Sequence, residues 1–375
     1  MFYLLHHLTR ISDAFGPFNV FRYVNFRAVM AAVTAMLLSI CLGPKVIGWL
    51  QSLKMREEVG SDADLAKLSA LRKGKSETPS MGGILIVLTV TSSSLLWCNP
   101  QVKFVWVSLF CLLWLAVLGL HDDYLKAVKK QRQGLSAWRK LAGQIILGVL
   151  VAAWMWFDPD TSRLVRELWL PFVKKPLIVD IGLVVTALIV LIIVASANAV
   201  NLTDGLDGLA IGCTITAAAA LGILAYVADQ KHWATYLHVS HLQNAGELTI
   251  FCAALVGAGV GFLWFNCHPA QVFMGDTGSL ALGGALGIVA VLIQQPFTLI
   301  IIGGVFVVEA ASVIMQTSYF KWTKRRYGAG QRIFLMTPLH HHFQLKGWDE
   351  NKVVVRFWIL ALIFALIGLG TLKVR

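Results

Sequence analysis

The stretch Leu177-Ile-Val-Asp-Ile-Gly-Leu-Val-Val-Thr-Ala-Leu-Ile-Val-Leu-Ile-Ile-Val-Ala-Ser-Ala197 runs straight into Asn198-Ala-Val-Asn201-Leu-Thr-Asp204-Gly-Leu-Asp207-Gly208. About 20 apolar residues are what an α-helix needs to cross about 30 Å of hydrocarbon. Amides and carboxylates are poorly tolerated in that layer unless they pair or face water, so the polar end of this stretch marks a membrane surface. Asn198, Asn201, Asp204 and Asp207 recur every three residues. In an unbroken helix such a row drifts about 60° per step. A site using all four therefore requires the backbone to break, which Gly205 and Gly208 permit. Helix capping accounts for one or two of these residues but not four, and a binding role for the set is expected.

The same alternation of long apolar runs and polar edges extends along the chain. Of 375 residues, 57% are hydrophobic and 14% charged, with a mean hydropathy of +0.70. A soluble domain is nearer 45–50% apolar and about 25% charged. Ten candidate spans follow: 25–44, 81–98, 102–120, 141–157, 177–197, 208–228, 247–265, 278–294, 297–319 and 353–372. The expected fold is an all-α integral membrane protein of about ten transmembrane helices, a single polytopic domain over residues 1–375. Met1 to Tyr23 is interrupted by Arg10, Asp13 and Pro17 and does not read as a cleavable signal. The six cysteines form no CxxC pair and lie mostly within apolar runs, as small buried hydrophobes do. No internal repeat stands out.

Loop charge sets the expected orientation. Segments 51–79, 122–140 and 320–352 hold 19 Lys and Arg, whereas 99–101, 158–176, 229–246 and 295–296 hold five. The basic set is expected in the cytoplasm, with both termini on the extracytoplasmic side. Loops 51–79, 121–140, 198–207, 266–277 and 320–352 then share the cytoplasmic face, and a site is expected there. The net charge of +12 reflects this bias. With no basic, aromatic-studded soluble module in the chain, nucleic-acid binding is not expected.

Three further polar clusters fall on that face. His121-Asp122-Asp123 closes the third span, where acids oppose the helix dipole. Adjacent helical residues point about 100° apart, so the two acids are expected to do different jobs. Lys126, Lys129 and Lys130 follow as a basic surround suited to phosphate. In Phe273-Met-Gly275-Asp276, Asp276 offers an oxygen ligand for a hard cation such as Mg²⁺, which typically takes one or two carboxylates plus phosphate oxygens and water. Phe273 and Asn266 are suited to stack on and hydrogen-bond a nucleobase. Pro338-Leu-His340-His341-His342 lacks the i, i+4 spacing of zinc enzymes, and its imidazoles suit a diphosphate better. In the ninth span Gly303-Gly304 predicts a bend, with Glu309 as a carboxyl satisfied there. No phosphate-loop or nucleophile-elbow motif is present.

His121-Asp-Asp-Tyr-Leu-Lys126, Asn198 to Gly208, Phe265-Asn266, Val272-Phe-Met-Gly-Asp276 and Pro338 to His342 together resemble the polyprenyl-phosphate N-acetylhexosamine-1-phosphate transferases. Within them the muramoyl-pentapeptide branch is the one resembled, from the first span to the closing Gly370-Thr-Leu-Lys-Val-Arg375. The resemblance implies Mg²⁺-dependent transfer of phospho-MurNAc-pentapeptide from UDP-MurNAc-pentapeptide to undecaprenyl phosphate in the bilayer of a bacterial cytoplasmic (inner) membrane, yielding lipid I and UMP for peptidoglycan. It also implies roles: Asp276 as the main Mg²⁺ ligand, and Asp122, Asp123, Asp276 and His341 as catalytic, with Asp122 the base engaging the lipid phosphate. Lys75, Asn198, Asn201, Asp204, Asp207, Asn266, Phe273 and Gln316 would line the nucleotide-sugar pocket. Lys126, Lys140, His340, His341 and His342 would contact phosphate or sugar. A homodimer is left open. Two departures stand out: Glu77-Thr-Pro-Ser-Met-Gly-Gly83 where the family usually has Gly-Thr-Pro-Thr-Met-Gly-Gly, and His121 where an apolar residue is common.

Two rival readings make different expectations. A sister enzyme would load N-acetylglucosamine-1-phosphate from UDP-GlcNAc onto the same lipid. A secondary transporter would place polar groups near the midplane, often in inverted repeats, whereas Glu309 is the only acid well inside a span.

Overall fold

Apolar runs become helices here because hydrocarbon offers no partner for unpaired backbone N–H and C=O groups. The computed structural model describes residues 1–53, 78–129, 134–162 and 164–372. Its principal helices are α1 (Val24–Ser52), α2 (Gly83–Trp97), α3 (Lys103–Ala127), α4 (Ala137–Phe157), α5 (Val184–Thr203), α6 (Leu209–Asp229), α7 (Gly246–Asn266), α8 (Gly275–Leu292), α9 (Pro296–Ile302), α10 (Gly304–Tyr327), α11 (Leu339–Leu345) and α12 (Glu350–Gly370). Among the described residues, eight are long and apolar enough to cross a membrane, nine when α9 and α10 count as one bent span, and α2 is a shorter apolar helix. Each of the ten expected runs carries a helix, and the chain is an all-α, multi-pass membrane protein. The only strand-like pairing among the described residues is the isolated bridge Leu168–Ile178.

The helix ends depart from the apolar runs, and the departures matter for the site. α3 continues past 120 to Ala127, α5 starts at Val184 and continues through Asn198 and Asn201 to Thr203, and α8 takes Asp276 into its first turn. A helix keeps satisfying its own backbone after it leaves the hydrocarbon, so hydropathy locates the apolar layer rather than the helix ends. α9 and α10 meet at 84°, at the expected Gly303-Gly304.

α8 is the centre of the bundle. It packs against α2, α3, α5 and α6, and nearly all of its apolar window is buried. Small residues make this possible, because in lipid close backbone approach and dispersion drive helix association. A Cβ on Gly283 would lie 2.4 Å from the Ser196 carbonyl oxygen, and one on Gly287 would lie 2.3 Å from Ser196 Oγ. Likewise a Cβ on Gly119 would lie 2.2 Å from the Asp276 carbonyl oxygen. That last contact draws the polar end of α3 onto the N-terminus of α8.

Candidate active site

Gly119 brings the α3 acids to the first turn of α8, and hydrogen bonds then fix each of them differently. Asp123 caps α8: its carboxylate accepts from the backbone N–H of Asp276 at 3.0 Å, the N–H of Thr277 at 2.9 Å and Thr277 Oγ1 at 2.7 Å. A carboxylate at a helix N-terminus satisfies backbone donors that lack helical partners and meets the positive end of the helix dipole. Asp122, one residue earlier, faces elsewhere. It accepts from the Leu135 N–H at 2.6 Å and pairs with Lys126 at 2.8 Å.

Asp276 completes the group. Its Oδ2 accepts from Lys140 Nζ at 2.6 Å and Lys126 Nζ at 3.1 Å, and its Oδ1 accepts from Asn201 Nδ2 at 2.6 Å. Lys126 reaches back one turn along α3, while Lys140 comes from the first turn of α4 and also stands 3.6 Å from Asp122. Oxygens of Asp122, Asp123 and Asp276 lie within 4.8 Å of one another. Three carboxyls thus share two ammonium groups, a crowding of like charge that either a proton or a further cation relieves. The all-oxygen donor set fits a hard divalent ion. Asp276 is the most open of the three, with 14% of its side chain exposed against 3% for Asp122.

The remaining sequence candidates fall into neighbouring groups. Asn198 sits on α5 and donates to Gln144 Oε1 of α4 at 2.7 Å, so that its amide braces α4 against α5. Asp204 is the C-cap of α5, where the helix breaks before Gly208. Asp207 Oδ2 meets His268 Nδ1 at 3.0 Å and the Ala270 N–H at 3.2 Å, while its own N–H donates to Glu350 at 3.0 Å. The Asn266 side chain bonds the Gly208 N–H and the Val272 carbonyl. Phe273 is half-buried, and its backbone pairs with Pro79 and Gly82. Lys75 and Lys130 lie outside the described residues.

The histidines turn to three different partners. His340 Nδ1 faces Glu309, His341 Nδ1 donates to Gln344 at 2.9 Å, and His342 Nδ1 accepts the Leu335 N–H at 3.1 Å. Desolvation, with Lys346 adding to it, holds His342 below the ordinary histidine range. Gln316 spends its amide on the backbone of Ile333 and Phe334. Sequence reasoning passed over Gly119, Gln144, His268 and Glu350. Gly119, Gln144 and His268 lie outside the polar clusters and Glu350 sits in the separate run Asp349-Glu-Asn-Lys352, and each matters through a contact made across helices.

Comparison with known proteins identifies the family of the chain. Residues 105–294, which span α3 to α8 and the acidic group, match the glycosyl transferase family 4 model. The phospho-N-acetylmuramoyl-pentapeptide-transferase of Opitutus terrae is 50% identical over 373 residues, covering 99% of this chain and 100% of that protein. Those of Methylacidiphilum infernorum (48% over 372 residues, 99% and 100%) and Solidesulfovibrio magneticus (49% over 361 residues, 96% and 97%) are similarly close. At this identity over the whole chain, with the acidic group inside the matched segment, the protein belongs to the phospho-N-acetylmuramoyl-pentapeptide-transferase family.

Proposed function

We propose that the protein transfers phospho-MurNAc-pentapeptide from UDP-MurNAc-pentapeptide to undecaprenyl phosphate, giving lipid I and UMP. The observation that carries this reading is the group of three carboxylates and two lysines on α3, α4 and α8, in a chain about half identical to named transferases along its whole length. Both substrates are anionic, so catalysis rests on positioning and charge neutralisation.

An oxygen of undecaprenyl phosphate attacks the sugar-bearing phosphorus of the UDP-sugar. The new P–O bond forms as the bond to the bridging oxygen breaks, and UMP leaves with that electron pair. Asp122 takes the proton of a monoanionic lipid phosphate, and Lys126 and Lys140 turn from the carboxylates to the diphosphate oxygens. Asp276 would hold Mg²⁺, which when bound supplies charge neutralisation at the diphosphate. Asp123 keeps the first turn of α8, and with it Asp276, in register. Asn201 orients Asp276 from α5, the Asp204–Asp207 loop and Phe273 face the nucleotide sugar, and the buried Asn266 ties Gly208 to Val272 behind them. The lipid acceptor arrives beside the bent α9–α10 pair, where a groove of about 300 Å³ carries Phe320, Lys321 and Arg332. The Lys/Arg bias of the loops supports a cytoplasmic site in the bacterial inner membrane.

A product assay in nanodiscs with undecaprenyl phosphate tests the reading. UMP release from UDP-MurNAc-pentapeptide, and not from UDP-GlcNAc, is expected. Release only from UDP-GlcNAc would assign the sister reaction, and solute uptake without turnover would assign transport.

A further inference from the structure

Glu309, Gln316 and Thr323 are spaced seven residues apart on α10, two turns each, so they fall on one face of that helix. All three are buried, and each grips the segment that returns antiparallel beside them. Thr323 Oγ1 accepts from the Gln331 N–H at 2.9 Å, and Gln316 Oε1 accepts from the N–H groups of Ile333 and Phe334 at 2.9 and 3.0 Å. Glu309 accepts from the Leu339 N–H at 2.6 Å and the His340 N–H at 3.2 Å, which caps α11. The histidine helix is thereby fastened to the helix that bends at Gly303.

Glu309 also meets the His340 ring, with Nδ1 at 3.2 Å from Oε1. A carboxylate only accepts, so this contact puts a proton on Nδ1 and leaves Nε2 to face the other way. His340 Nε2 is buried and has no hydrogen-bond partner. It points at Gly205, where a Cβ would come within 2.2 Å of it. The imidazole is therefore held between a carboxylate on α10 and the Asp204–Asp207 loop. Its free nitrogen reaches that loop only because residue 205 has no side chain.

We propose that Glu309 is a positioning residue for the transfer, acting through His340. It fixes the tautomer and direction of the buried ring, which then seats against Gly205 and sets the Asp204–Asp207 loop that meets the substrate. The proposal rests on the reaction given above. In a Glu309→Gln variant one acceptor oxygen becomes an NH₂ group, so the three N–H donors cannot all be met in either amide orientation.

The test is a double-mutant cycle of Glu309→Gln and His340→Gln in the full-length protein in nanodiscs, assayed with UDP-MurNAc-pentapeptide and undecaprenyl phosphate. Glu309→Gln alone is expected to lower kcat roughly tenfold to a hundredfold with little change in KM. In the His340→Gln background it is expected to add almost nothing, because groups acting as a unit are not additive. Wild-type kcat in Glu309→Gln, or an equal loss in both backgrounds, overturns the proposal. If Glu309→Gln does not fold, Glu309→Asp takes its place in the same cycle, read the same way. Wild-type protein that fails to turn over would instead overturn the reaction itself.

Discussion

Opposite ends of the helix bundle both bury charge, and they do so in contrasting ways. At one end Arg27 of α1 meets Glu247 of α7 in a two-pronged pair, at 2.9 and 2.7 Å. Arg27 also donates to the Trp97 carbonyl at 3.1 Å, and Glu247 accepts from the Asn99 N–H at 2.7 Å. One positive charge answers one negative charge, as a structural clasp requires. At the other end three carboxylates crowd around two ammonium groups, and Asp276 keeps part of its surface open. That end has one carboxyl more than its lysines match, which a proton or a bound cation would answer. Burial of charge alone does not distinguish a clasp from a reaction centre, whereas the charge balance does.

If the acidic end depends on an added cation, removing divalent ions with EDTA abolishes UMP release, and adding Mg²⁺ back restores it. Turnover that persists in EDTA would place the acidic end in the same class as the clasp. The next largest effect is expected from Gly119→Ala. Its new methyl would lie 2.2 Å from the Asp276 carbonyl oxygen, so α3 and α8 must part. Overpacking of this kind costs about 1–3 kcal/mol, and kcat is expected to fall far more than a Tm shift of that size suggests. A variant with wild-type kcat would show that the registry of α3 on α8 does not set the chemistry.

Asp123→Asn is expected to lower activity less: its one amide oxygen still accepts from Thr277, while its NH₂ cannot accept the Asp276 N–H and the charge at the helix N-terminus is lost. Loss of an N-cap interaction costs about 1 kcal/mol, readable as a modest drop in Tm. The smallest effect on activity is expected at the clasp. Arg27→Leu strands Glu247 and destabilises the fold by roughly 3–5 kcal/mol, yet kcat measured on the folded fraction should stay near that of the wild type. A large fall in kcat with unchanged Tm would invert the contrast between the two ends.

Much of this was legible in the sequence for a physical reason. Hydrocarbon imposes long apolar runs, so all ten helical segments could be read, and the bend followed from Gly303-Gly304. The acids at 122, 123 and 276 stood out because charge at the edge of such runs is costly unless used. The division of labour between Asp122 and Asp123 was expected from their angular separation, and they do have different partners. What stayed hidden depends on contacts between distant segments. The hydropathy pattern puts Asn198 in a loop, whereas it lies on α5 and braces Gln144. The resemblance implies a nucleotide-sugar contact for Gln316, and its amide holds the backbone of the segment leading to the histidines. The heptad of Glu309, Gln316 and Thr323 was a signal that could have been found, since three polar residues on one face of an apolar span require partners.

The most direct test of the central claim is the rate of UMP release by Asp276→Asn at ordinary Mg²⁺, compared with the wild type in the same nanodiscs. Asp276 receives both lysines and Asn201 and is the most open of the three acids. Its neutralisation is expected to cut turnover by roughly a thousandfold while the protein remains folded. Near-wild-type release from the folded variant would contradict the claim that these carboxylates form the reaction centre.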